Sequence, residues 1–122
     1  MPKPRVLILE EELDLLSLYA YHLKRLGCRV LAVGSAEAGL AAARKHRPEL
    51  IIIGLGIPGK DGSDYLHILK EKKSALVLFL TSRRFSSGLR PCRKGARYST
   101  RASFISRLIA CKLPDLSALA GG

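Results

Sequence analysis

A chain of 122 residues, 48% of them apolar, has room for one buried core and is too apolar to be disordered. Its formal charge is +11, and the asymmetry bears on partners rather than on fold: residues 81–122 carry nine Lys and Arg against Asp115 alone, while residues 1–80 carry twelve against nine acids. No apolar run approaches the roughly 18 residues of a membrane helix, and the acids directly after RVLIL break any signal-peptide form, so a cytoplasmic chain with no membrane contact is expected.

Residues 5–9, RVLIL, read as a buried strand ended by Glu10, Glu11 and Glu12. From Glu12 to Leu26, the residues Leu15, Leu16, Tyr19, Leu23 and Leu26 recur at helical spacing, and Gly27 supplies a stop. Arg29 to Val33 is a second strand. Ser35 can cap a helix of small apolar residues that gives way at Pro48. Leu50 to Ile53 is the most hydrophobic strand and suits the centre of a parallel sheet. A Gly- and Pro-rich loop runs from Gly54 to Gly62, Ser63 to Glu71 reads as a helix, and Ala75 to Leu80 as a fourth strand.

Beyond Ser82 the stretch RRFSSGLRPCRKG contains Gly88 and Pro91, both poor in a helix interior. Arg97 to Thr100 can form a short fifth strand, and Ser103 to Lys112 has Phe104, Ile105, Leu108 and Ile109 at helical spacing. The domain is expected to span 1–112, with 113–122 a frayed tail or linker. Strands alternating with helices imply a parallel sheet covered on both faces.

Two chemical motifs are set aside. The run from Gly54 to Gly59 matches GxGxxG after a strand, but Pro58 and Gly59 stand where a dinucleotide site needs a helix to begin, and no acid follows at the spacing that a ribose hydroxyl needs. The cysteines, Cys28, Cys92 and Cys111, have no metal-ligand spacing, and His22, His46 and His67 form no triad pattern. Small buried thiols and surface imidazoles account for them, and no metal or cofactor is expected.

The strand ends carry a sharper signal. RVLILEEE from Arg5, RPELIIIGLGIPGKDG from Arg47 to Gly62, LFLTS from Leu78, and Gly95-Ala96 together resemble response-regulator receiver domains. The likeness is good over 4–82 and weak beyond. It implies a flavodoxin-like α/β fold, a doubly wound five-stranded parallel sheet of order 2-1-3-4-5 with helices on both faces.

In that family an aspartate after the third strand takes the phosphoryl group, an acidic pair after the first helps to hold Mg²⁺, a Ser or Thr ends the fourth, and a Lys follows from the fifth. Here Gly54 stands at the aspartate position and has no side chain to attack a donor. Glu10 and Glu11 replace the shorter acids, and Thr81 keeps the switch position. Arg101 stands for the Lys and Ala102 for the proline after it.

The resemblance therefore implies a degenerate phosphorylation pocket of Glu10, Glu11, Gly54, Thr81 and Arg101, in which Arg101 pairs with Glu10 or Glu11 in place of a metal. The expected function is a phosphorylation-independent pseudo-receiver, a non-enzymatic signalling or scaffold module that works by protein contacts. A basic surface of Arg83, Arg84, Arg90, Arg93, Lys94 and Arg107 would meet an acidic protein partner, with a second copy of the chain a further candidate. The alternatives are a nucleic-acid-binding module resting on charge alone and a conventional two-component response regulator.

Overall fold

The computed structural model describes residues 3–54, 75–81 and 97–121. Five strands form one sheet in the order β2-β1-β3-β4-β5: β1 Arg5–Leu9, β2 Arg29–Val33, β3 Leu50–Gly54, β4 Leu76–Thr81 and β5 Arg97–Thr100. Every neighbouring pair is parallel. The parallel direction is that expected from the alternation of strands and helices, and the order is that implied by the receiver resemblance. The helix read at Ser63 to Glu71, the loop after Gly54 and the region from Ser82 to Ala96 lie outside the described residues.

Side chains alternate across a strand, so a sheet with both faces covered needs apolar residues in both phases. The three central strands supply them. Val6, Ile8, Leu50, Ile52, Leu78 and Leu80 point to one face, where they meet Tyr19 and Leu23 of α1 (Leu13–Arg25) and Phe104 and Leu108 of a C-terminal helix. Leu7, Leu9, Ile51, Ile53, Val77 and Phe79 point to the other, where Ala43 of α2 (Ala36–His46) closes over them. Phe79 also stacks on Tyr98 of β5, with ring centroids 5.0 Å apart.

Local signals set the helix ends. Gly27, at φ 95°, takes the left-handed conformation that costs glycine least. Its N–H reaches Lys24 O and that of Cys28 reaches Leu23 O, both at 3.0 Å, which closes α1 by a Schellman pattern. Ser35 caps α2 by accepting from Ala38 N at 3.2 Å.

The C-terminal region departs from expectation in two ways. The helix read from Ser103 begins earlier, as α3 (Arg101–Ala110), because Thr100 Oγ1 accepts from Ser103 N at 3.1 Å and caps it. Arg101 therefore opens a helix rather than extending a strand. Residues 113–121 are not a frayed tail: a short α4 (Leu116–Leu119), capped by Asp115, folds back and buries Leu119 and Ala120 in the core beside α3.

Arg107 holds that segment in place. Its Nε donates to Leu119 O and its Nη2 to Ser99 Oγ, each at 3.2 Å, and its guanidinium lies 5.8 Å from the Phe104 ring centroid. Arg107, expected on a docking surface, thus spends its donors inside the fold, where it is half-buried. Among the described residues no helix is long and apolar enough to cross a membrane.

If α4 belongs to the core, Leu119→Ala will lower unfolding stability by about 3 kcal/mol, the usual cost of a buried leucine, and Arg107→Ala by about 1–2 kcal/mol through its lost hydrogen bonds. Urea denaturation followed by far-ultraviolet circular dichroism measures both. A Leu119→Ala midpoint equal to the parent's would show the tail to be a bystander.

Candidate functional site

In a parallel sheet all strands end at one edge, and residues just beyond those ends converge. Here β1 delivers Glu10, β3 ends in Gly54, β4 in Thr81, and Arg101 follows β5. Register fixes their proximity: Leu9 lies beside Ile53, Gly54 beside Leu80, and Thr81 beside Thr100. Four of the five residues anticipated for the pocket thus gather at this edge. The fifth, Glu11, comes next after Glu10 and is exposed.

Glu10 is the residue around which the edge is built. Its backbone N–H donates to Val33 O at 3.1 Å, which ties it to the end of β2, and its side chain turns inward until the residue is only 5% exposed. The carboxylate lies over Gly54. A Cβ built on Gly54 would collide with Glu10 Oε2 and stand 2.8 Å from its Cδ. The space that any side chain at position 54 would enter is therefore filled by the longer acid from β1.

A buried carboxylate requires a compensating charge. Arg101 provides it: Nη2 lies 3.5 Å from Glu10 Oε1, and Nη1 lies 3.5 Å from Glu12 Oε2. The guanidinium bridges a buried acid and an exposed one while remaining 19% exposed itself. At these separations the contacts are ion pairs rather than short charge-assisted hydrogen bonds. Of the two partners expected for Arg101, Glu10 is the one it meets.

Glu12 was not anticipated, because an acid at a helix start already has a local explanation. Tyr19 was also missed. It is read as one apolar position in the α1 stripe, and it does pack edge-on against Phe104, with centroids 5.3 Å apart. Its hydroxyl nevertheless lies within electrostatic reach of Glu10, Arg101 and Glu12. Among the described residues, the Tyr19 hydroxyl and Arg101 Nε are buried without a hydrogen-bond partner.

The titration behaviour follows from this arrangement. Burial raises the Glu10 pKa; Arg101 pulls it down, and the neighbouring Glu12 and Glu11 push it up again, with a net rise above 4.5. Tyr19 is pushed up to about 12, first by burial and then by the negative charge of Glu10.

The receiver resemblance implies Mg²⁺ at this edge, and the donor set does not fit it. Mg²⁺ requires several oxygen ligands in a near-octahedral array. Among the described residues the buried carboxylate is engaged by a guanidinium, position 54 contributes no side-chain oxygen, and the space above it is occupied by Glu10. Of the residues expected to form a basic surface, Arg83, Arg84, Arg90, Arg93 and Lys94 lie outside the described residues.

Residues 6–94 match the family model described as the response regulator receiver domain. The probable transcriptional regulatory protein TcrX of Mycobacterium tuberculosis is 30% identical over 79 residues, covering 64% of this chain and 34% of that protein. The transcriptional activator protein PfeR of Pseudomonas aeruginosa is 29% identical over 82 residues, covering 67% and 27%. The chain thus spans about a third of the length of the curated relatives it matches. Among solved structures, a response regulator receiver domain protein from Bacillus halodurans superposes with a TM-score of 0.70 at 27% identity, covering 89% of this chain and 93% of that one.

The raised Glu10 pKa makes a signed prediction. A carboxyl held above its unfolded value contributes stability that is fully present below about pH 4.5 and is lost as pH rises through the folded pKa. The stability of the parent relative to Glu10→Gln, whose amide does not titrate, will therefore improve as pH falls through that window. Paired urea titrations between neutral pH and pH 4 measure it, and a parent that loses ground to Glu10→Gln over this range would refute the assignment.

Proposed function

The chain belongs to the response-regulator receiver domain family, and from that premise we propose that it is a pseudo-receiver, a signalling or scaffold module that works through protein contacts without being phosphorylated. One observation carries the reading: the Glu10 carboxylate lies where a side chain on Gly54 would be, paired with Arg101. The family's chemistry needs a carboxylate nucleophile at that position. Glycine supplies none, and the neighbouring acid obstructs the approach of a phosphoryl donor.

The same pair supports a fixed rather than a switched state. A phosphorylated receiver gains a charge at the end of β3 that the Lys and the Ser or Thr then contact. Here a negative charge is already present over β3, and a cation already meets it, without any transferred group. Such a module has no catalytic step, and its output rests on the surface that it presents.

That surface is proposed to be the basic last third, with Arg83, Arg84, Arg90, Arg93 and Lys94 meeting an acidic protein partner. Complementary charge speeds encounter and offsets the repulsion among like charges. Nucleic acid is the second reading. It draws on the charge of +11 and on relatives such as the DNA-binding response regulator MtrA of Mycobacterium leprae, 25% identical over 81 residues and matched over 36% of its length.

Incubation with acetyl phosphate and Mg²⁺, followed by intact-mass measurement, tests the reading. The expected result is no phosphoryl adduct on the parent chain and no full labelling of Gly54→Asp, because Glu10, pushed aside by the new side chain, and Glu11 are each a methylene too long for a compact Mg²⁺ site. A hydroxylamine-sensitive adduct of one phosphoryl mass on the parent would return the chain to the conventional response regulators.

A further inference from the structure

The edge of the sheet opposite the Glu10 pocket carries a second cluster of charge. Around the strand starts lies an open cleft of about 640 Å³. Lys3 precedes β1, Arg5 begins it, Lys24 stands in the last turn of α1, and Arg29 begins β2; all four line the cleft, with Glu49 as the one acid among its described lining residues. Cys28 and Val30 are its apolar lining residues, termed the apolar floor. With strands of five residues rising about 3.3 Å each, this cleft lies about 16 Å from the Glu10 pocket.

The backbone holds these cations together. Arg29 N donates to Pro4 O at 2.7 Å, and Glu49 N donates to Arg5 O at 2.9 Å, so the starts of β1, β2 and β3 are tied to one another. The parallel register sets Arg5 directly opposite Arg29. Like charges set side by side at the exposed starts of neighbouring strands repel, weakly where water and salt screen them.

Compensation within the described residues is slight. Glu49 reaches Arg5 Nε only at 3.9 Å, with both side chains about half exposed, a pair of small worth. Lys3, Lys24 and Arg29 have no ion pair among the described residues. Three of the nearby C-terminal carbonyls of α1, which would repel an anion, are engaged: His22 O, Leu23 O and Lys24 O accept from the N–H groups of Leu26, Cys28 and Gly27.

We propose that this cleft is a binding site for a small phosphate-bearing anion of the pyrophosphate class. Such a ligand brings several negative charges into a space that holds four cations, and it relieves the Arg5–Arg29 repulsion while doing so. Guanidinium groups suit phosphate oxygens because their planar forks donate in parallel pairs, and two of the four cations are arginines on adjacent strands. The apolar floor also admits a flat, uncharged portion of a ligand attached to the phosphates.

Titration of the ¹⁵N-labelled chain with inorganic pyrophosphate, read by amide chemical shifts, tests the site. Saturable shifts centred on Arg5, Lys24 to Val30 and Glu49 are expected, with a dissociation constant of about 1 mM or tighter. The double variant Lys24→Ser/Arg29→Ser should weaken binding at least about tenfold. Lys45→Ser/Lys112→Ser, which removes the same charge from positions outside the cleft, should leave it within about twofold.

Adenosine diphosphate distinguishes the sources. Affinity equal to that of pyrophosphate places recognition in the phosphates alone, and tighter binding adds the apolar floor; both outcomes support the site. Three results would overturn it: no saturable shift at 0.05 M salt up to about 10 mM ligand, equal loss in both double variants, or duplex DNA shifting the same amides more tightly than either small ligand.

Discussion

Every strand of this sheet except its two edges is out of water on both faces, and that constraint governs where polar chemistry can occur. β1, β3 and β4 present apolar side chains in both phases, so neither face has room for a functional group. Charge is displaced to the two ends of the strands. At one end it is gathered around Glu10, and at the other around Arg5 and Arg29. Parallel pairing makes these ends chemically distinct, because all five strands start at one and finish at the other.

At the finishing end, three residue choices are consistent only together. Gly54 leaves a volume over β3 that an ordinary side chain would fill. Glu10, one methylene longer than aspartate, reaches into it. A carboxylate so deeply placed carries a desolvation cost, evident in its raised pKa, and Arg101 offsets part of that cost. Removing Arg101 alone would leave a buried acid uncompensated, and adding a side chain at Gly54 alone would displace Glu10 from its partner. Among the described residues Glu10 fills the volume over Gly54 and holds the one cation that reaches it, which ties the three positions to one another.

Three strands were legible because RVLIL before Glu10, RVLAV before Gly34 and LIII before Gly54 are short apolar runs broken by an acid or glycine, while the order of the strands followed from the receiver resemblance. The pairing of Arg101 with Glu10 or Glu11 was legible through the receiver resemblance, which sets Arg101 at the position of the family's Lys and the two acids after the first strand. The start of α3 was displaced because Ser103 offers a plausible cap, while Thr100, the residue that caps it, also closes a strand. α4 was missed because its burial depends on contacts that local sequence does not announce: Arg107, twelve residues before Leu119, holds its carbonyl. Tyr19 was read for its ring, and its ring does pack in the core; the placement of its hydroxyl depends on Glu10 and Arg101, which are distant in sequence from each other.

The basic cleft at the starting end escaped notice for a different reason. Residues 1–80 have a nearly balanced charge, and Lys3, Arg5, Lys24 and Arg29 form no run or spacing that stands out. Net charge therefore pointed to the last third of the chain. What concentrates the four cations is register, which sets Arg5 beside Arg29, together with the Schellman turn at Gly27, which brings the end of α1 back to the start of β2. The two ends then differ in kind. Around Glu10 the one described cation, Arg101, is already shared by two of the three acids. Around Arg5 and Arg29 the cations outnumber the acid and are held together by backbone bonds that do not depend on them. A fold can maintain such an excess at its surface because water screens it, but the cost is lowest when an anion is bound, and that difference in free energy is what a binding site consists of.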